Sequence, residues 1–304
     1  MFFKLKTYSS TPLILSAMLL MAACNSGGSK KTTEVKVDSA ELAKDIFSDI
    51  SNAKQIFYSL PSPMESAMLI KSAGATYNEK YLNPISNVSK YTSNKSMALN
   101  LGSYITDLSY ASMFDQSQTT LKYMEVAKKM ADGLGITEAI DQNTIKKLEE
   151  NINNREAILD IISETFMSST AFLQENDRQS LAAIALTGGW IEGLYLSTRL
   201  VGNEPIAKNK IVNRIVDQKL SLDILVKLLN NNKSNKDIAE IMPQINNLKK
   251  IYDKIIIKSS EIKTIEDAKS KITTLKSTTS SNISQPILNE LSESVKNIRN
   301  NFTL

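Results

Sequence analysis

The chain has 304 residues, of which 36 are Lys or Arg and 32 are Asp or Glu, with one cysteine and no histidine. The lack of histidine excludes a Ser-His-Asp triad, a Cys-His pair and any metal site with imidazole ligands. A net charge of +4 is too small to favour a nucleic-acid partner, and the length suffices for one large or two small domains with apolar cores.

The first 24 residues resemble a bacterial lipoprotein signal. Lys4 and Lys6 precede an apolar run that is too short to span a bilayer, and two alanines stand directly before Cys24. The resemblance implies that residues 1–23 are a signal peptide and that Cys24 carries acyl chains such as palmitate. We therefore expect a lipoprotein anchored in the cell envelope, at the outer membrane. The alternative is an ordinary secretory signal with Cys24 as an incidental thiol.

Three further segments follow the predicted signal peptide. Residues 24–37 are small and polar, which is typical of a flexible tether. Residues 38–203 have helical periodicity and are predicted to form a helical core domain. Residues 204–304 are predicted to form a basic, mainly helical region packed on that core. Residues 205–304 hold 17 basic and 10 acidic side chains, so this region is a candidate contact for the acidic half of the chain, for anionic lipid or for another protein. A solvated surface is the simpler explanation of the charge.

Almost all of the predicted elements are helices. One covers about 39–58, and the next begins with the capping box Ser62-Pro63-Met64-Glu65 and ends at Gly74. Residues 75–92 are predicted to form an ordered, irregular connection, and Ser93 or Ser96 begins the next helix, which runs to about residue 114. Further helices are predicted over about 117–133, 144–153, 154–175, 177–201, 205–230, 234–254 and 284–300. Because short connections place successive helices antiparallel, we predict a mainly α-helical bundle of antiparallel helix pairs.

Two stretches interrupt this helical pattern. Pro243 is expected to kink or split the helix over 234–254. Residues 254–283 are rich in β-branched side chains on both sides of Glu266 and Asp267, which fits a small two-stranded β-hairpin. A continued long helix is the alternative for this segment.

Small residues recur at four-residue spacing on two of the predicted helices. They are Ala185, Gly189, Gly193 and Ser197 on one helix, and Ala98, Gly102 and Thr106 on the other. Each glycine inside a helix costs about 1 kcal/mol relative to alanine, so a compensating contact is expected. Since rows of small residues let helix backbones approach closely, we predict that these two helices cross at the centre of the domain.

Three polar residues stand out on the otherwise apolar helix over 177–201. Glu192, Tyr195 and Arg199 project within about 60° of one another, at 100° per residue. Buried charges need partners, and the helix over 93–114 offers Asp107 together with Tyr104 or Tyr110.

This cluster has two interpretations. In the first, it is the floor of a pocket in which a carboxylate and a guanidinium orient a polar headgroup. The candidate ligand-binding residues are then Glu192, Tyr195, Arg199, Asp107 and Trp190. In the second, the cluster is a satisfied internal network that fixes the register of the helices.

The sequence assigns no catalytic residue, cofactor or metal. Asp160 and Glu164, one helical turn apart, fit an acid pair or metal ligands, but solvated carboxylates commonly have this spacing. Neither the Gly-x-Ser-x-Gly motif nor a phosphate-binding glycine loop is present.

Five short motifs resemble an uncharacterised family of exported proteins and lipoproteins of Bacteroidetes. They are Pro61-Ser62-Pro63-Met64-Glu65, Leu82-Asn83-Pro84, Asn100-Leu101-Gly102, Asp107-Leu108 and Gly188-Gly189-Trp190-Ile191-Glu192-Gly193. The likeness covers roughly residues 50–205. It implies a location in the cell envelope and no particular activity.

We therefore expect a binding or scaffolding lipoprotein whose basic residues 205–304 contact another envelope protein or anionic lipid. The alternative is a carrier or sensor of a small or amphipathic ligand near Glu192, Tyr195 and Arg199. A histidine-independent hydrolase that uses carboxylates or a Ser-Lys pair is the third hypothesis. The sequence favours a non-enzymatic role.

Overall fold

The computed structural model describes residue 60 and residues 62–176, 178–260, 263–267, 272–276 and 279–304. The predicted signal peptide, Cys24, the tether and the helix over 39–58 lie outside the described residues. In the part that is described, the chain forms a mainly α-helical bundle, as predicted. None of the helices found there is both long and apolar enough to cross a membrane.

Nine α-helices and four short strands follow one another in the described residues. They are α1 (Pro63–Ser72), α2 (Asn94–Met113), α3 (Ser117–Gly133), α4 (Gln142–Glu150), α5 (Arg155–Glu175), α6 (Gln179–Arg199), α7 (Lys210–Asn231), α8 (Lys236–Asp253), β1 (Ile257–Ser259), β2 (Lys263–Asp267), β3 (Ile272–Lys276), β4 (Thr279–Ser281) and α9 (Gln285–Thr303). Between α1 and α2, the connection predicted to be ordered and irregular contains two short 3-10 helices, Glu79–Tyr81 and Ile85–Lys90.

Local capping explains where the helices begin. The capping box of α1 is confirmed, since the Ser62 hydroxyl accepts from the Glu65 N–H and the Glu65 carboxylate accepts from the Ser62 N–H. α7 begins at Lys210 and not near residue 205, because the Asn209 side chain accepts from the N–H groups of Ile211 and Val212. Asp141 caps α4 in the same way, and that helix therefore begins earlier than predicted.

The two interruptions of the helical pattern have different outcomes. Pro243 lies inside the continuous helix α8, so the expectation that it splits the helix is wrong. The β-hairpin is confirmed and the alternative of a continued helix is excluded. β2 pairs antiparallel with β3, with Ile265 opposite Thr274, and β1 pairs antiparallel with β4, with Lys258 opposite Ser280. Glu266 and Asp267 end β2.

The predicted crossing of the small-residue helices is confirmed, and α2 and α6 are the most extensively packed pair of helices in the described chain. A Cβ atom added to Gly102 would overlap the carbonyl oxygen of Ala185, and one added to Gly188 would overlap the carbonyl oxygen of Leu99. Gly188 lies outside the predicted row of small residues, yet its contact is as close as that of Gly102. Gly193 faces Ser66 of α1, where an added Cβ would lie 3.2 Å from the serine Cβ.

A single apolar core surrounds this crossing. α2 is buried from Ala98 to Met113, and apolar side chains from α1 to α9 join the same cluster of buried residues. α7 and α9 both pack against α6. The helices after residue 204 therefore contribute to the core that holds α2 and α6.

We expect Gly102→Ala to destabilise the fold by about 3 kcal/mol or more, because the added methyl group meets backbone atoms that cannot move aside. Gly193→Ala is the matched control. Its methyl group meets only side-chain atoms, and alanine is the better helix former, so the free energy of unfolding should change little. Urea unfolding followed by circular dichroism measures both. Equal losses in the two variants would contradict the close backbone contact.

Candidate functional site

Two carboxyl groups meet inside the domain where α2 and α6 cross. Asp107 on α2 and Glu192 on α6 are completely buried, with no exposed surface on either residue. The charge of Glu192 acts on Asp107, whose Oδ2 accepts from the backbone N–H of Asn83 at 2.9 Å, while its buried Oδ1 has no hydrogen-bond partner among the described residues. The cluster predicted between Glu192 and Asp107 is therefore present.

Arg299, near the end of α9, supplies the positive charge. Its Nε lies 3.1 Å from Oε2 of Glu192, and its Nη2 lies 3.1 Å from Oε1, so the guanidinium binds the carboxylate through two nitrogens. Arg299 also donates to the carbonyl oxygen of Tyr81. Removing one partner of such a buried ion pair typically costs about 3–5 kcal/mol, because the other charge is left uncompensated. This contact therefore ties α9 to α6.

We infer that the buried carboxyl pair holds one proton, because charging two adjacent carboxylates together away from water is unfavourable. Burial raises the pKa of Asp107 well above its usual range, and the charge of Glu192 raises it further. Burial also raises the pKa of Glu192, but the charge and hydrogen bonds of Arg299 oppose that rise. Burial disfavours the charged guanidinium, yet Glu192 keeps the pKa of Arg299 above its usual value. We therefore assign the proton to Asp107, which leaves Glu192 ionised against Arg299.

Asn83 is the centre of a second set of buried hydrogen bonds that adjoins the carboxyl pair. Its side-chain amide donates to Oδ1 of Asn100 at 3.0 Å and contacts the Tyr91 hydroxyl at 3.1 Å. The backbone carbonyl oxygen of Asn83 accepts from the Tyr123 hydroxyl at 2.9 Å. These contacts fix the connection between α1 and α2 against both α2 and α3.

The same polar set also holds the end of α9. The last carbonyl groups of a helix have no partner within the helix. Here the Asn100 amide donates to the carbonyl oxygen of Phe302 at 2.8 Å, and the Tyr91 hydroxyl donates to that of Thr303 at 3.1 Å. Together with Arg299, these bonds make the last turn of α9 part of the internal network.

The other predicted site residues have partners of their own. Arg199 donates to the carbonyl and hydroxyl oxygens of Ser292 on α9. The Tyr195 ring contacts two guanidinium groups. Its centroid lies 4.8 Å from Cζ of Arg299 and 5.5 Å from Cζ of Arg199.

The prediction that Tyr104 or Tyr110 joins the charged cluster is wrong. Tyr104 donates to the carbonyl oxygen of Pro84, and Tyr110 donates to that of Thr76. Burial raises the pKa of both hydroxyls, that of Tyr110 to about 12, so both are neutral donors. Each hydroxyl therefore donates to a backbone carbonyl oxygen in the connection between α1 and α2, and neither donates to a carboxylate.

Trp190 also has a structural contact. Its indole N–H donates to the Ser221 hydroxyl of α7 at 3.0 Å. It borders a crevice between α1, α6 and α7 of about 10 Å³, which has room for about one water molecule.

An open polar cleft of about 440 Å³ lies elsewhere, between α4 and α5. Residues that line it include Glu138, Asn143, Lys147, Glu164 and Ser168. Both Asp160 and Glu164 are exposed on α5, as the interpretation of solvated carboxylates expects. No cluster of three or more histidine, cysteine or carboxylate side chains suited to a metal ion occurs among the described residues.

Sequence reasoning missed Arg299, Asn83 and Asn100. Arg299 is the residue that a pattern could have revealed, because it lies on the apolar face of α9 with Leu288, Leu291, Val295 and Phe302. A charge in that position predicts a buried partner of opposite sign. The two asparagines belong to motifs that were noticed for their resemblance alone, and their hydrogen bonds had no periodic signal.

Comparison with known proteins adds no assignment. No protein-family model, curated protein or solved structure matches the chain.

We expect Asp107→Asn to weaken the pH dependence of stability. In the unfolded chain this carboxyl ionises at about pH 4, whereas in the folded protein it keeps its proton. Its contribution to stability is therefore complete below about pH 4 and is lost as the pH rises through the raised pKa of the folded state. Asparagine has no such proton to lose. Melting temperatures measured from about pH 4 to pH 8 should fall less steeply in the variant.

Asp160→Asn provides the control, because Asp160 is exposed on α5. It should leave the pH profile of the wild type unchanged. If the melting temperature depends on pH in the same way in the wild type and in Asp107→Asn, the proton is not on Asp107.

Proposed function

We propose that the protein is a lipid-anchored component of the cell envelope that binds or scaffolds another envelope component through its helical surface. The observation that supports a binding role best is the ion pair between Glu192 and Arg299. These charged groups neutralise each other in the core, and Glu192 has no exposed surface. This geometry is typical of an ion pair that stabilises the fold, and it is less suited to orienting a ligand or a reacting group.

The lipid anchor is supported by the sequence. The charged start, the short apolar run and the two alanines before Cys24 match the lipoprotein pattern, and acylation accounts for the single cysteine of an exported chain. More than one acyl chain is required for stable membrane attachment.

We expect Cys24→Ser to release the protein from membranes and to abolish incorporation of a labelled fatty acid. Ser26→Ala, two residues away, should leave both unchanged because it retains the cysteine. Cell fractionation and metabolic labelling measure the two effects. Continued sedimentation of Cys24→Ser with membranes would exclude the lipid anchor.

The contact surface is proposed to lie on the basic residues 205–304. Deleting this region would be a poor test, because it removes Arg299 and leaves Glu192 without its partner. Lys227, Lys233 and Lys236 are exposed close to the turn between α7 and α8 and are better targets. Many other charges of this region form ion pairs, such as Lys249 with Asp223.

We expect replacement of these three lysines by glutamate to weaken binding to vesicles that contain phosphatidylglycerol by at least about tenfold. Each basic residue near an anionic membrane contributes about 1 kcal/mol. The matched control replaces the exposed Lys122, Lys129 and Lys147, with the same change of net charge. Co-sedimentation in the Cys24→Ser background separates this binding from the lipid anchor. Equal losses in both triple variants would contradict a contact at the turn between α7 and α8.

The other two functions have less support. A carrier or sensor with Glu192, Tyr195 and Arg199 around its ligand requires these side chains to face a common cavity. Instead, Glu192 is sealed against Arg299, and Arg199 binds Ser292. A hydrolase that uses carboxylates requires an accessible acid with a shifted pKa, and the strongly shifted carboxyl described above, Asp107, is fully buried.

A further inference from the structure

The β-hairpin between α8 and α9 has two strand edges that no described element covers. β2 pairs with β3 over five residue pairs, from Lys263 opposite Lys276 to Asp267 opposite Ile272. Among the described elements, none makes more than isolated contacts with β2 or β3 apart from the two strands themselves.

Such a ribbon has a physical reason to acquire a partner. A two-stranded sheet is marginally stable in water, and the outer edge of each strand presents N–H and C=O groups without partners in the sheet. Natural proteins usually shorten, charge or cover such edges. The strand that would cover this ribbon is suggested by the sequence of β2 itself.

We propose that two copies of the chain associate through the outer edge of β2, antiparallel about a two-fold axis at Ile265. In that register Lys263 of one copy lies opposite Asp267 of the other, and Ile265 lies opposite its own equivalent. The symmetry repeats the pair of opposite charges at both ends of the contact. Cross-strand pairs of opposite charge stabilise such a register.

The charges within the ribbon support the choice of this edge. Lys263 stands directly opposite Lys276 of β3, and like charges in that position destabilise a strand pair. In the proposed register, Asp267 of a second copy is paired with Lys263 across the outer edge of β2. The outer edge of β3 has no such complementarity, because self-pairing about Thr274 would place Lys276 opposite Ile272.

The contact is isologous, so it closes as a dimer and does not extend into a fibre. Two strands of five residues form about four to six hydrogen bonds in this arrangement. The interface is small and the dimer is consequently weak in solution. The inference does not depend on the lipid anchor, although confinement of both copies to one membrane would raise their effective concentration.

Disulfide trapping in the full chain tests the register directly. In the Cys24→Ser background, Ile265→Cys places a single thiol on the proposed axis, where the two Cα atoms would lie about 4.5–5.5 Å apart, within the range that a disulfide spans. Thr274→Cys is the matched control, because it lies opposite Ile265 but on the other strand. We expect about tenfold more covalent dimer from Ile265→Cys on mild oxidation. Equal trapping at both positions, or more at Thr274, would overturn the proposal.

Charge exchange provides an independent test. Asp267→Lys places a lysine opposite Lys263 of the partner at both ends of the contact and should weaken dimerisation in analytical ultracentrifugation by about tenfold. Lys263→Asp combined with Asp267→Lys restores opposite charges and should restore the dimer. Circular dichroism and the melting temperature check that each variant is folded. A wild type that stays monomeric at high concentration, or a double variant no better than Asp267→Lys, would exclude the β2 interface.

Discussion

The close approach of α2 and α6 is the constraint on which the rest of the structure depends. Backbone contacts at Gly102 and Gly188 bring the two helices together without intervening side chains. That contact places Asp107 beside Glu192 in the buried centre of the domain. Two carboxyl groups cannot both ionise there, so one is protonated and the other requires a cation. Arg299 provides it, and the position of α9 follows from this requirement.

Buried polar residues that stabilise a fold must be distinguished from those that form an active site. A buried cluster of charged and hydrogen-bonding groups is the usual starting point in a search for an active site. In this protein Glu192 is paired with Arg299, and Asn83, Asn100 and Tyr91 extend the network to the end of α9. Four of the five motifs that resemble exported Bacteroidetes proteins contribute residues that lie in or beside this network, namely Asn83, Asn100, Asp107 and Glu192. We propose the outer surface for a binding role.

The sequence predicted the helices and their crossing because both have periodic signals. The capping box at Ser62 and the small residues around Gly102 and Gly189 depend on near neighbours or on helical spacing. The pairing of Glu192 with Arg299 joins residues 107 positions apart, and no local rule reports such a contact. The start of α7 was misplaced because capping by Asn209 was not recognised. Of the two effects expected of Pro243, splitting is wrong, because α8 continues through it.

The long separation between Glu192 and Arg299 also has a consequence for biosynthesis. A ribosome or a translocation channel releases α6 well before α9, and until then the Glu192 carboxylate lacks its cation. Burial of that charge without a cation is unfavourable, although protonation of the carboxyl group can relieve it. The ion pair that ties α9 to α6 therefore forms only after the last helix has emerged.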